Sequence, residues 1–409
     1  MPGADEWGPV VVTGIGALSP NGWGVEEYWA ATLAGRSGLA PVSRFDTAGY
    51  RAHVAGEVNF EPGDHLPSRL LPQTDHMTRM ALIAAAEALA DAAVSPAELP
   101  TFSAGVITAA SAGGFEFGQR ELEALWSKGS AYVSAYQSFA WFYPVNTGQI
   151  SIRHDMRGPG STLVAEQAGG LDVLAKARRN VRTGTPLMLA GGVDGSLCPW
   201  SWLCLTRSGT MSPERDPARA FLPFDTAATG GVPGEGGALL VLEDPAHARE
   251  RGAEHRYGTL AGHASTFDPR PGSGRPSGLR RAIELALADA CVTTADIDVV
   301  FADASGVPAR DAEEVAVLSA LFGPRGVPVT APKTMTGRLL AGGAPLDVAA
   351  ALLSLRDSVI PPTVHVGQSA FADELDLVLD QPREARLHTA LVLARGHGGF
   401  NSALVVTAA

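Results

Sequence analysis

Three cysteines and ten histidines are the side chains of this sequence that could supply a thiol nucleophile or a proton-transferring imidazole. The cysteines are Cys198, Cys204 and Cys291; none lies in a Cys-x-x-Cys pattern, and the histidines form no obvious pair with them. Cys198 precedes Pro199 and Trp200 instead of small helix-opening residues, so its surroundings do not favour an activated thiolate. Three thiols also cannot complete a disulfide framework, which is typical of a reducing cytoplasm.

The elements that must position any site are short apolar strands and alanine-rich helices. The string VVVT at 10–13 predicts a buried strand that ends in a tight turn at 14–16. Apolar spacing predicts helices at 25–33, 77–93, 168–181, 278–290 and 344–356. Further buried strands are predicted at 105–109, 161–165, 186–190, 237–243, 298–302, 388–394 and 402–406.

Composition indicates a globular α/β protein. Its 409 residues are 45% hydrophobic and 18% charged, enough for one large core or two domains. The pattern restarts after about residue 256, so we predict halves at 1–255 and 256–409 that share a core of mixed sheets covered by helices. A net charge of -12 argues against a nucleic-acid-binding surface. No apolar run approaches the ~18 residues of a membrane span, and no signal peptide is visible at 1–7, so we expect a cytoplasmic location.

Five strings, in order along essentially the whole chain, resemble the β-ketoacyl synthase family. That resemblance implies the thiolase fold, a duplicated αβαβα five-layer architecture that usually forms dimers. The strings are VVVTGIGALSPNGWG at 10–24, AFLPFD at 220–225, GVPGEGG at 231–237, PKTMTG at 332–337 and GHGGFN at 396–401.

A finer resemblance is to the chain length factors, the ketosynthase beta subunits of type II aromatic polyketide synthases. It rests on VAEQAGGLD at 164–172, GGVD at 191–194, PW at 199–200 and SFAWFY at 138–143. Gln167 stands where active ketosynthases of the family carry a nucleophilic cysteine at a strand-to-helix turn, whose helix N-terminus lowers the thiol pKa. Ser305 and Arg338 stand where the family has its two histidines. The resemblance therefore implies no catalytic residue, only vestigial positions.

Interpretations that give these positions no special role remain open. Gln167 could be a polar residue that opens a helix by chance, and Arg338 could be a surface charge. We expect instead that Arg338 fills the volume of the lost histidine and pairs with a carboxylate such as Asp303.

The resemblance also implies a partner and a channel. The partner is an active ketosynthase alpha subunit, and the growing chain is carried on the phosphopantetheine arm of an acyl carrier protein, with no cofactor or metal in this subunit. Phe115, Gly118, Leu122 and Trp200 match positions that line or end the interfacial channel. Phe115, Gly118 and Leu122 fall on one face of a helix, and their sizes predict a product of decaketide class or longer. Alternatively, Gly118 permits close helix packing at the dimer interface, and Trp200 packs in the core.

Two rival functions remain. In one, the subunit decarboxylates malonyl-carrier through Gln167 to make an acetyl primer, although it lacks the histidines that would hold the enolate. In the other, the chain is a self-contained condensing enzyme whose nucleophile is Cys198 or Cys204.

Overall fold

The described part of the chain, residues 8–253, 257–270 and 272–409 of a computed structural model, forms strands and helices at the predicted places. The predicted boundary between 255 and 256, and the segment 1–7, lie outside the described residues. The strands are β1 Val11–Ser19, β2 Gly22–Trp23, β3 Leu39–Pro41, β4 Val54–Gly56, β5 Ala104–Ala109, β6 Gly160–Leu163, β7 Leu187–Asp194, β8 Gly236–Glu243, β9 Gly258–Phe267, β10 Val299–Phe301, β11 Pro328–Thr330, β12 Val359–Ile360, β13 Asp376–Leu377, β14 Arg383–Glu384, β15 Thr389–Arg395 and β16 Phe400–Thr407. The helices are α1 Gly24–Leu33, α2 His76–Asp91, α3 Phe115–Lys128, α4 Gln137–Ala140, α5 Val145–Arg153, α6 Glu166–Arg182, α7 Pro199–Arg207, α8 Pro217–Ala220, α9 Pro245–Glu250, α10 Leu279–Asp289, α11 Pro308–Phe322 and α12 Gly343–Asp357.

The main strands repeat one topology twice. From its outer edge inward, the N-terminal half runs β6-β5-β7-β8-β1, and the C-terminal half runs β11-β10-β15-β16-β9 inside the short edge strand β13. The strand directions also match, because β6-β5-β7 and β11-β10-β15 are parallel while β7-β8-β1 and β15-β16-β9 are antiparallel. The halves join where β1 pairs with β9. The restart of the sequence pattern after about residue 256 therefore corresponds to a duplicated arrangement of strands.

Helices and sheets alternate in five layers. Helix α2 covers the outer face of the N-terminal sheet, and α10 covers the outer face of the C-terminal sheet. Helices α6 and α12 pack on each other and on strands of both halves, so they form the middle layer. Every residue from Gly343 to Leu355 of α12 is buried, as a helix between two sheets requires. The predicted α/β thiolase-like architecture is confirmed.

The predicted turn at 14–16 is wrong, because β1 continues through it to Ser19. The glycines serve close packing instead of a turn. A Cβ atom on Gly16 would lie 2.0 Å from the carbonyl oxygen of Ala84, and one on Gly14 would lie 2.3 Å from that of Ala88. Glycine in a strand often marks such an approach of another backbone, and here it seats α2 on the sheet.

No helix in the described ranges combines the length and the apolar character that crossing a bilayer requires.

Candidate functional site

A cavity of about 380 Å³ opens between the loops that follow strands of both halves. Phe115, Ser305 and Arg338, three of the residues singled out from sequence, line it. Its other charged or ionisable lining groups include Glu166, Arg310 and His397. The cavity therefore brings Phe115 together with two vestigial positions, whereas Gln167, Gly118, Leu122 and Trp200 are not among its lining residues.

Gln167 lies at a strand-to-helix turn beside this cavity. Strand β6 ends at Leu163, α6 begins at Glu166, and Gln167 is buried in the first helical turn. Glu166 has a φ of 50°, a left-handed conformation that costs a non-glycine residue about 1–3 kcal/mol. Its carboxylate accepts a hydrogen bond from the backbone N–H of His397. The turn thus places an amide, that of Gln167, in the first turn of the helix.

Arg338 occupies the space in front of Gln167. When the Gln167 amide is turned so that its oxygen faces the guanidinium of Arg338, that oxygen accepts from Arg338 Nε at 2.7 Å and from Nη1 at 3.2 Å. Arg338 also forms an ion pair with Asp303, with Nη2 and Oδ1 3.2 Å apart. Its Nη1 donates to the Asp303 carbonyl oxygen at 2.8 Å. Arg338, whose side chain is only 13% exposed, is therefore a partner of Asp303 as expected from sequence, and the alternative of a surface charge is wrong.

The charges of this cluster hold one another in the ionised state. Burial alone would raise the pKa of Asp303, but Arg338 and Lys333 outweigh it and hold that pKa below its ordinary value. Burial lowers the pKa of Arg338, but Asp303 and Glu166 more than restore it. Lys333 in turn pairs with Asp347 at 2.8 Å. Such a pair is stable in the interior only when every charge has a partner.

The loop that carries Ser305 is held by two carboxylates of α11. Asp311 accepts from the Ser305 hydroxyl at 2.7 Å and from the Ser305 backbone N–H at 2.9 Å. Glu314 accepts from the backbone N–H groups of Asp303 and Ala304 at 2.7 and 3.0 Å. Burial, together with the charge of Asp303, raises the pKa of Glu314 to about 7. Ser305 therefore directs its donor at the protein instead of at the cavity.

Cys198 and Cys204, the two thiols that a self-contained enzyme would need, lie in different surroundings. Cys198 is buried at the start of α7, and burial raises the pKa of its thiol. Cys204 lines the cavity from the sixth residue of α7. Free N–H groups that stabilise a thiolate belong to the first turn of a helix, so Cys204 lacks that activation. Its approach to the cavity comes from the packing of α7, for which the sequence carries no local signal.

Alkylation tests whether either thiol is a nucleophile. We expect no cysteine of the purified protein to react with iodoacetamide faster than a free thiol does at the same pH. A Gln167→Cys variant is the positive control, because a thiol at the start of α6 beside Arg338 has a lowered pKa and reacts fast. Mass spectrometry of tryptic peptides over time gives the rates. Rapid labelling of Cys198 or Cys204 in the unaltered protein would support the alternative hypothesis of a self-contained condensing enzyme.

The predicted channel residues lie around α3. Phe115 packs on Trp200 with ring centroids 4.5 Å apart. A Cβ atom on Gly118 would lie 3.6 Å from both Trp200 and Trp141, an ordinary contact distance. Leu122 is partly buried one turn further along. Trp200 is 38% exposed, so the alternative of plain core packing does not describe it.

Within the described residues, no three side chains of the His, Cys, Asp and Glu types come together in a way that would hold a metal ion.

Comparisons with known proteins agree over nearly the whole chain. Residues 8–248 match the model of the β-ketoacyl synthase N-terminal domain, and residues 257–367 match that of the C-terminal domain. The tetracenomycin polyketide synthase ketoacyl synthase beta subunit of Streptomyces glaucescens is 62% identical over 97% of this chain and 98% of its own length.

Two solved structures have similar folds. The ishigamide ketosynthase/chain length factor is 28% identical, with a TM-score of 0.87 over 98% of this chain and 100% of that one. A type II polyketide synthase acyl-carrier protein in complex with its ketosynthase, bound to the hexaketide, is 26% identical, with a TM-score of 0.88 over 98% and 100%.

Proposed function

This chain belongs to the β-ketoacyl synthase family, and from that premise we propose that it is the non-catalytic chain length factor of a type II polyketide synthase. Within a heterodimer with an active ketosynthase, it shapes the interfacial tunnel that sets the length of the poly-β-keto chain. The product is of decaketide class or longer.

The observation that carries this proposal is the buried cluster of Gln167, Arg338 and Asp303. An amide at the helix N-terminus cannot accept an acyl group, since it is not a usable nucleophile. The guanidinium in front of it directs its donors at Gln167, at Asp303 and at backbone oxygens. The fold of a condensing enzyme is thus kept while the reacting groups are replaced by a mutually paired cluster.

An exposed aromatic face of this chain supports the proposal that it forms a heterodimer. It comprises side chains on α3, on the segment after it and on α7, and Trp141 and Trp200 would both lie 3.6 Å from a Cβ atom on Gly118. Large apolar patches at the surface of a soluble protein mark interfaces, and aromatic residues are enriched in such interfaces. We assign this face to an active ketosynthase alpha subunit, in line with the relative described as a ketosynthase/chain length factor. The aromatic face consists of Trp126, Tyr132, Tyr136, Trp141, Phe142, Tyr143 and Trp200.

Chain length follows from the walls of the tunnel. Phe115 lines the cavity and supplies a bulky gate, whereas Gly118 is buried and adds no side-chain volume beside Trp141 and Trp200. A well-packed wall resists added volume, so elongation stops when the next two-carbon unit would clash. The substrate is delivered on the phosphopantetheine arm of an acyl carrier protein, and the subunit holds no cofactor of its own. We place the complex in the cytoplasm.

The rival decarboxylase requires donors aimed at a developing enolate oxygen. Here the two side chains at the histidine positions direct their donors elsewhere. Ser305 donates to Asp311, and Arg338 donates to Gln167 and Asp303. This arrangement favours a structural role for Gln167 over decarboxylation.

The decarboxylase alternative is tested with a heterodimer whose ketosynthase partner has lost its active-site cysteine. We expect any conversion of malonyl-carrier to acetyl-carrier to be the same with and without Gln167→Ala, because the partner keeps the histidines that can hold the enolate, whereas this chain offers no such donors. Mass spectrometry of the carrier protein measures the conversion, and Gln167→Ala is the matched variant. Turnover that disappears on Gln167→Ala would contradict the proposal, as would carbon–carbon bond formation by this chain alone.

A further inference from the structure

Helix α3, which carries Phe115 and Gly118, begins without a cap of its own. Gly114 is its N-cap residue and has no side chain to accept from the first-turn N–H groups. Free N–H groups at a helix start require an acceptor from somewhere. The backbone at Gly114 is also closely packed, since a Cβ atom there would lie 2.3 Å from the carbonyl oxygen of Ala140.

The missing acceptor comes from Asp75, which precedes α2. Its Oδ2 accepts from the backbone N–H of Phe117 at 2.7 Å. Its Oδ1 accepts from the N–H of Met77 at 2.9 Å and so caps α2. Phe117 is the third residue of α3, where the side chain of an N-cap residue usually bonds. One buried carboxylate, 3% exposed, therefore caps two helices.

This shared cap ties the gate to the rigid part of the fold. Helix α2 packs along β1, β7 and β8, with its alanines against the sheet. Helix α3 is otherwise fixed further along, where Gln119 accepts from the backbone N–H of Trp200 at 2.8 Å and Glu121 accepts from that of Ser134 at 2.6 Å. In the first turn of α3, the bond from the Phe117 N–H to Asp75 joins this helix to the start of α2.

We propose that Asp75 is the positioning residue of the gate: it fixes the start of α3 against α2, and so fixes how far Phe115 reaches into the tunnel. This inference rests on the proposed function. It adds a residue that determines how narrow the distribution of product lengths is, although Asp75 does not line the cavity.

Burial raises the pKa of Asp75 to about 6, partly offset by its bond to the Phe117 N–H, while the nearby Glu116 raises it further and His76 lowers it. At pH 7.5 the carboxylate is therefore mostly ionised and both oxygens accept.

The test is Asp75→Asn in the heterodimer with an active ketosynthase, at pH 7.5. Asparagine keeps an oxygen for the Met77 N–H and remains a good cap for α2. Its amide nitrogen, however, is a donor that faces the Phe117 N–H. We expect the share of products one two-carbon unit shorter or longer than the main one to rise roughly tenfold, as loss of a bond to a charged group implies. Mass spectrometry of the released polyketides gives the distribution.

Asp91→Asn is the matched control. Asp91 ends the same helix and also serves two elements, since it accepts from the Ile15 N–H at 2.8 Å and the Tyr257 hydroxyl at 2.9 Å. We expect this variant to leave the product distribution unchanged. If Asp75→Asn does not assemble, Asp75→Ser replaces it, because serine also caps α2 but cannot reach both N–H groups.

An unchanged distribution in an assembled Asp75 variant would overturn the inference. So would failure of both Asp75 variants to assemble while Asp91→Asn assembles, since Asp75 would then hold the fold and not the gate. The double variant Gly118→Thr with Leu122→Phe tests the proposed function separately from the positioning role of Asp75. If it changes chain length while Asp75→Asn does not, the proposed function stands and only the positioning role fails.

Discussion

Replacing Gly118 by threonine and Leu122 by phenylalanine is expected to shorten the dominant polyketide by about one or two two-carbon units, because both changes add volume to a packed wall. A Cβ atom on Gly118 already reaches contact distance, 3.6 Å, from Trp141 and Trp200. We expect the two further heavy atoms of threonine to displace neighbouring side chains of the wall. Threonine is also a better helix former than glycine, so α3 should be retained. Co-expression with an active ketosynthase and mass measurement of the products give the answer.

Two controls separate gating from general damage to α3. Gly118→Ala adds only the atom that already fits and should leave chain length unchanged. Glu123→Gln alters an exposed position of the same helix and should do the same. Unaltered product length in the double variant, at normal yield, would remove α3 from the channel wall.

The second large effect is expected from Arg338→Ala, which should lower the free energy of unfolding by about 3–5 kcal/mol. The side chains of Arg338 and Asp303 are only 13% and 2% exposed, so removing the guanidinium leaves a buried carboxylate without its main partner. Gln167 would also lose its donors. Urea denaturation of the purified protein measures the loss.

The comparison is with an exposed ion pair. Arg356 and Asp357 are 36% and 34% exposed, and a pair of this kind contributes less than about 1 kcal/mol. Arg356→Ala should therefore have a small effect. Replacing both members of the buried pair, Arg338→Met with Asp303→Asn, should cost less than Arg338→Ala alone, since no unpaired charge remains. Equal losses for Arg338→Ala and Arg356→Ala would show that the cluster does not depend on its guanidinium.

Local pattern accounts for much of the fold. Strands and helices with clear apolar spacing, such as α2 and α12, lie where the sequence predicts them, because period and composition are local properties. The turn predicted at 14–16 failed for the opposite reason. Glycine permits both a turn and a close approach, and only the alanines of α2, more than sixty residues away in the chain, select the approach.

The features of the candidate site also fall into those that the sequence predicts and those that only the tertiary structure sets. Residue types alone indicated that Gln167 cannot act as a nucleophile and that a buried Arg338 needs a carboxylate, because these follow from the chemistry of single side chains. The presence of Cys204 in the cavity and the capping of α3 by Asp75 depended on the tertiary structure. Each brings together groups that are distant in the chain, and such contacts are set by how helices pack on the two sheets, which no local spacing encodes.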